Sequence, residues 1–123
     1  MTTVTPRPLG SDAQPDYEVV AEFIDVMPKG VTVSDDGRIF VSFPRWGDDV
    51  PYTVAEIIDG RSVAFPSAQA NKWTGTGPRE RLISVQSVVV APDGYLWLLD
   101  TGAPSFSAYV RDGGPKLVRV DLA

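Results

Sequence analysis

The 123-residue sequence contains no cysteine and no histidine. Those two absences exclude a disulfide scaffold, a thiolate nucleophile, a Ser-His-Asp triad and any zinc site built on His or Cys. What remains for chemistry is carboxylates, Lys, Tyr, Ser, Thr and the backbone, with hard oxygen-binding cations as the metals such groups would suit. Basic residues are also scarce: 11 Lys and Arg stand against 16 Asp and Glu, a net charge of −5, and no basic cluster occurs. A nucleic-acid partner or an anionic membrane surface is therefore not expected. No apolar run approaches the roughly 18 to 20 residues that span a bilayer. The opening Met1-Thr-Thr-Val-Thr-Pro-Arg-Pro8 lacks the charged region and apolar core of a secretory leader, so the expected location is cytoplasmic.

Glycine and proline, by contrast, are plentiful at 11 each, and 43% of the residues are hydrophobic. That composition describes a globular, turn-rich domain of the all-β class. The clearest stretch is 82–102. Val88–Ala91 and Tyr95–Asp100 are rich in β-branched and aromatic residues, and Pro92-Asp93-Gly94 between them has turn chemistry. Neither run alternates apolar with polar, so both faces of this hairpin are expected to be covered.

A second hairpin repeats the first. Gly30–Ser34 and Arg38–Pro44 flank the turn Asp35-Asp36-Gly37, and superposing the hairpins puts Gly37 on Gly94, Val31 on Val88, Val33 on Val90 and Phe40 on Trp97, each pair 57 positions apart. Tyr52–Ile58 and Lys116–Leu122 follow as third strands. After the first of them Asp59-Gly60 turns into a fourth, Arg61–Pro66. Four antiparallel strands recurring at this interval are the mark of a β-propeller blade. The expected organisation is a disordered tail over residues 1–16, which hold three Pro, then a partial propeller over 17–123. Blade one covers about 28–66, and an incomplete blade two about 85–123. Tyr17–Asp25 has strand composition, weakened by Ala21 and Glu22. A two-layer sandwich is the structural alternative.

In such a blade the tight turns Asp35–Gly37, Asp59-Gly60 and Pro92–Gly94 share one face. The longer connections Arg45–Pro51, Ser67–Val85 and Thr101–Pro115 gather on the other, the expected binding side. Arg45 and Trp46 stand at that rim, as a guanidinium to clamp an anion or carbonyl and an indole to stack on; Asp48 and Asp49 are the alternative partners for Arg45. Lys29 and Gln86 are repeat-equivalent positions just before the innermost strands, where a propeller side chain points to the axial channel. Asp100, in Asp100-Thr-Gly102, either binds a ligand or closes a turn on its own backbone. An aspartic-protease reading fails because the repeat-equivalent residue is Phe43. Ser67–Arg81 reads as a flexible connector, and the Gly75-Thr-Gly77 within it is no phosphate loop. No catalytic residue is identifiable, and no cofactor or metal is expected.

Gly30–Trp46, Val50–Glu56, Ser84–Val90, Leu96–Gly102 and Gly114–Val118, in that order, resemble the major royal jelly protein and yellow protein family. The resemblance looks like that of a bacterial-type member and covers the N-terminal portion. It implies a six-bladed propeller of which this chain forms about two blades of four-stranded antiparallel sheet. It also implies varied functions: insect secreted proteins, pigment-pathway proteins including a dopachrome-converting enzyme, and binders of amines or other small molecules. More distantly, the fold is similar to gluconolactonase-like enzymes, whose channel calcium sits on acidic and amide residues at inner-strand starts. Lys29 and Gln86 depart from that pattern. The expectation is thus a propeller fragment that binds a small molecule at its long-loop face and is not itself catalytic. Alternatives for a full-length parent are a lactonase-like hydrolase, a dopachrome-type isomerase or a protein scaffold. Open blade faces are expected to promote self-association, three copies making a six-bladed ring.

Overall fold

A computed structural model of the chain describes residues 7–8, 16–47, 49–106 and 109–123. The chain is all-β with antiparallel sheets, as the turn-rich pattern required. Strands β1 (Arg7–Pro8) and β2 (Glu18–Val19) form a short ladder. Strands β3 (Gly30–Val33), β4 (Ile39–Ser42), β5 (Val54–Ile58) and β6 (Arg61–Ala64) follow in sheet order as they do in sequence. A second sheet holds β7 (Val85–Val90), β8 (Tyr95–Asp100) and β9 (Lys116–Asp121), also in sequence order. A 3-10 turn covers Pro104–Phe106.

The two hairpins close alike. Gly37 (φ +88°) donates its N–H to the Ser34 carbonyl at 2.9 Å, and Gly94 (φ +84°) donates to the Ala91 carbonyl at 3.0 Å. Asp59 and Gly60 both take positive φ, the mirror-image turn that suits the right-handed twist of strands joined by two residues.

Register decides which side chains meet. In the first sheet Thr32, Phe40 and Glu56 share a face, while Val31, Val41 and Ala55 share the other. In the second, Val88, Leu98 and Val118 lie on one face and Val89, Trp97 and Arg119 on the opposite one. The Phe40 face packs on the Val88 face, giving a core of Phe40, Val54, Leu82, Val85, Val88, Leu96 and Leu98. Fully burying each such side chain stabilises the fold by about 1.5 to 3 kcal/mol, so this contact is the main cohesion between sheets. Hydrogen bonds reinforce it: Val90 N–H donates to Thr32 Oγ1 at 3.0 Å, and Arg38 Nη1 donates to the Leu122 carbonyl at 3.1 Å. Strands β3 and β7 approach closely at their starts, where a Cβ added to Gly30 would lie 3.6 Å from the Gln86 carbonyl.

Several expectations change. Of the segment 17–25, only Glu18–Val19 is strand. Ala21 and Phe23 run on as irregular chain and pack, with Val26, on Val41, Phe43, Ala55 and Ile57, because apolar cover of that face outweighs strand propensity. Within the expected tail, Arg7–Pro8 pair with Val19 and Glu18, while residues 1–6 and 9–15 lie outside the described residues. The β7–β8 hairpin, expected to be covered on both faces, is covered on one only: Val89 and Leu99, with Leu117 of the adjoining β9, are exposed. Its continuous apolar run reports a face without a cover in this chain.

Candidate functional site

Antiparallel pairing brings all five candidate residues to one end of the sheets. Lys29 precedes Gly30, which pairs with Ser42, and Arg45 and Trp46 follow β4. Gln86 sits in a register shift at the start of β7, beside Val85, which pairs with Asp100. The end is shared, but the side chains have different surroundings.

Arg45 is turned inward. Its Nε donates to the Ile83 carbonyl at 2.7 Å, Nη2 to the Asn71 carbonyl at 2.8 Å, and Nη1 to the Val50 carbonyl. Burial pushes its pKa down, with Asp100 and then Asp49 pulling it back up. Each guanidinium nitrogen thus already serves a backbone acceptor, so the expected ligand clamp is instead a tie between the Arg45–Pro51 and Ser67–Val85 connections. Any pairing with Asp48 lies outside the described residues.

Asp100 is fully buried. It accepts the N–H groups of Ile83 at 2.8 Å, Ser84 at 3.0 Å and Gly102 at 2.8 Å, and pairs with Lys116 Nζ at 3.0 Å. The Gly102 bond is the Asx-type closure weighed from the sequence. Lys116, itself half-buried, also donates to the carbonyls of Pro78 and Gly114, so both members of the ion pair have satisfied partners. Gly102 (φ +65°) permits the close approach of Gly114, whose backbone would lie 2.4 Å from an added Cβ. Asp100 and Arg45 together grip the Ile83-Ser84 backbone from two sides, as Arg45 N–H also donates to Ser84 Oγ at 3.0 Å.

Segment 67–81, expected as flexible connector, is organised by Asn71. Its buried Oδ1 accepts Thr53 N–H at 2.9 Å and Val54 N–H at 3.0 Å; its Nδ2 donates to the Phe65 and Ser67 carbonyls. A side chain with four satisfied bonds immobilises the loop. Thr53 extends the network, its Oγ1 donating to the Phe43 carbonyl and accepting Val85 N–H, each at 2.8 Å. Asn71, Thr53 and Ser84 carry no local signal that separates them from ordinary loop polarity. Lys116 had one, because laying the third strand against the second places it opposite Asp100.

Lys29 is exposed and Gln86 half-buried, and neither side chain joins this network. Trp46 lines a shallow depression with Phe23, Ile24, Asp25, Val26, Met27 and Pro28. Among the described residues no three Asp or Glu come together as a cation would need.

These features define an all-β protein of stacked, repeated antiparallel sheets whose loop ends are knitted by buried polar side chains. No family model matches the chain. The yellow-related salivary protein LJM17 of Lutzomyia longipalpis is 33% identical over 107 residues, covering 78% of this chain and 26% of that protein. This similarity supports placing the chain in the yellow and major royal jelly protein family, which is a β-propeller family. The chain thus spans about a quarter of the length of this relative. A salivary relative conflicts with a cytoplasmic location, and that expectation is corrected here; it rested on where the sequence begins, which carries no such information.

Proposed function

We propose that the chain supplies the first two sheets of a yellow-type propeller, and that the protein binds a small molecule where its long connections meet, beside Lys29 and Gln86. The observation that carries this reading is the approach of the two inner-strand starts, Gly30 lying against the Gln86 carbonyl. Lys29 and Gln86 flank that approach on the long-connection side, outside the network that occupies Arg45 and Asp100. Trp46 lines a depression with Pro28, the neighbour of Lys29, and so serves to report occupancy by its fluorescence. Arg45 and Asp100 act as positioning residues that hold the loops, and the chain alone performs no catalysis. A lactonase-like activity would need an acid at an inner-strand start, and Lys29 and Gln86 occupy those positions.

Titrating the chain with a panel of small aromatic amines and carboxylates, followed by tryptophan fluorescence and calorimetry, tests the reading. Saturable binding is expected for at least one compound, weakened about tenfold, or roughly 1.4 kcal/mol, by Lys29→Ala or Gln86→Ala. Absence of binding across the panel, or binding indifferent to both substitutions, counts against it.

A further inference from the structure

Four Asp-Gly steps occur in the chain, at 36–37, 59–60, 93–94 and 112–113. We infer that Asp112 is a site of spontaneous isomerisation to isoaspartate, restrained by Arg79. In this reaction the backbone nitrogen of the following residue attacks the side-chain carboxyl carbon. The new C–N bond closes a succinimide ring, and the amide proton leaves with the carboxyl hydroxyl as water. Water then adds to either ring carbonyl. Addition at the side-chain carbonyl restores Asp, whereas addition at the main-chain carbonyl breaks its bond to nitrogen and leaves the chain running through Cβ. No co-reactant other than water is needed. Glycine is the most favourable following residue, because no Cβ obstructs the ring.

The dipeptide alone ranks the four steps equally, but the structure does not. The attacking nitrogen must be free, and its peptide able to turn toward the carboxyl. Gly37 N–H is held by the Ser34 carbonyl at 2.9 Å and Gly94 N–H by the Ala91 carbonyl at 3.0 Å. Their carboxylates are held as well: Asp36 accepts a hydrogen bond from Ser34 Oγ, and Asp93 accepts Tyr95 N–H at 3.0 Å. Asp59 sits at φ +52° in a two-residue turn whose flanking residues Ile58 and Arg61 are paired, so turning toward Gly60 would undo that pairing. Gly113 differs. Among the described residues its N–H makes no hydrogen bond, and its turn is closed by Gly114 N–H on the Arg111 carbonyl at 2.9 Å. The Asp112 side chain is 94% exposed and pairs at 2.8 Å with Arg79 Nη2, whose side chain is 58% exposed. The same arginine lies against Gly113, where an added Cβ would come within 2.4 Å of its Cγ. A solvated ion pair of this kind restrains a loop only weakly. These contacts are local to turns or to two facing connections and owe nothing to the uncovered sheet faces. The product adds one carbon to the main chain two residues before Gly114, whose carbonyl accepts from Lys116 Nζ. Isomerisation therefore acts on the tie that holds Asp100, and the inference is independent of the small-molecule reading.

Incubating the folded chain at neutral pH, below its unfolding transition, and locating isoaspartate by electron-transfer fragmentation of its peptides tests this. Asp112 is expected to isomerise at least about tenfold faster than the other three, since a bonded N–H or a paired turn must first be released. In urea the four rates are expected to converge. Arg79→Ala is expected to speed the reaction at Asp112 by about two- to threefold and to leave Asp36 and Asp93 unchanged. Equal rates at Asp112, Asp36 and Asp93 in the folded chain overturn the inference. So does a ranking that persists in urea, which would trace it to neighbouring sequence and not to the fold. An Asp112 rate indifferent to Arg79→Ala overturns the role given to Arg79.

Discussion

In the first sheet Phe40 sits opposite Glu56 across the ladder, and in the second the corresponding Trp97 sits opposite Arg119. Glu56 is held by both Nε and Nη2 of Arg38, at 2.9 and 3.0 Å, while the Arg38 guanidinium also lies over the Phe40 and Phe65 rings. Arg119 instead lies over Tyr95 and Trp97. The first arrangement suits a covered position, where charge must be neutralised and its hydrogen bonds met. The second suits an open face, where a solvated cation rests on aromatic rings. One scaffold thus carries two electrostatic solutions, and the presence of a covering sheet separates them. The strand ends differ too: Phe43 faces Thr53 in the first sheet, and Asp100 faces Lys116 in the second.

The strongest way to break this comparison is at Asp100. Asp100→Ala removes the buried acceptor of three backbone N–H groups and the partner of a half-buried ammonium, so a loss of about 3 to 5 kcal/mol is expected in urea unfolding. The double change Asp100→Ala with Lys116→Met should recover part of that loss. No recovery would mean that Lys116 is not confined by the pair. Next in size, Asn71→Ala leaves the N–H groups of Thr53 and Val54 without their acceptor and should cost about 2 to 3 kcal/mol. A cost below about 0.5 kcal/mol would mean that water replaces the amide.

Smaller effects sharpen the contrast between the two faces. Arg38→Ala should destabilise by about 1 kcal/mol, discounted because the pair is partly solvated, whereas Arg119→Ala should change stability by under about 0.5 kcal/mol. Equal effects would erase the distinction between covered and open faces. The least effect is expected at the turns. Ser34 Oγ donates to Asp36 and lowers its pKa, while the second turn has Ala91 at the corresponding place. A carboxylate whose pKa is depressed by folding contributes stability that is present above its unfolded value of 3.8 and lost as pH falls through the folded one. Ser34→Ala should therefore flatten the acid limb of the stability profile, and an unchanged limb assigns that acid sensitivity to other groups.

The hairpins, their turns and the repeat were legible in the sequence because each is a local matter. Gly37 and Gly94 supply positive φ within a few residues of the strands they join, and Val31 and Val88 recur at one spacing. That the candidate residues share one end of the sheets was legible for the same reason, since the antiparallel order of strands sets which end a loop occupies. Their roles were less legible. Arg45 and Asp100 have the composition of a ligand site, yet their partners are carbonyls and N–H groups contributed by residues 71, 83 and 84.

By itself the sequence determined an all-β chain of repeated antiparallel hairpins, because turn conformation and side-chain alternation act over a few residues. Only the tertiary structure decided that Asn71 organises a loop, that Arg45 and Asp100 face inward, and that Val88 is covered while Val31 is bare. The physical reason is shared by all three. A buried polar group must find partners, and an apolar face must find a cover, and both come from parts of the chain that lie far apart in sequence.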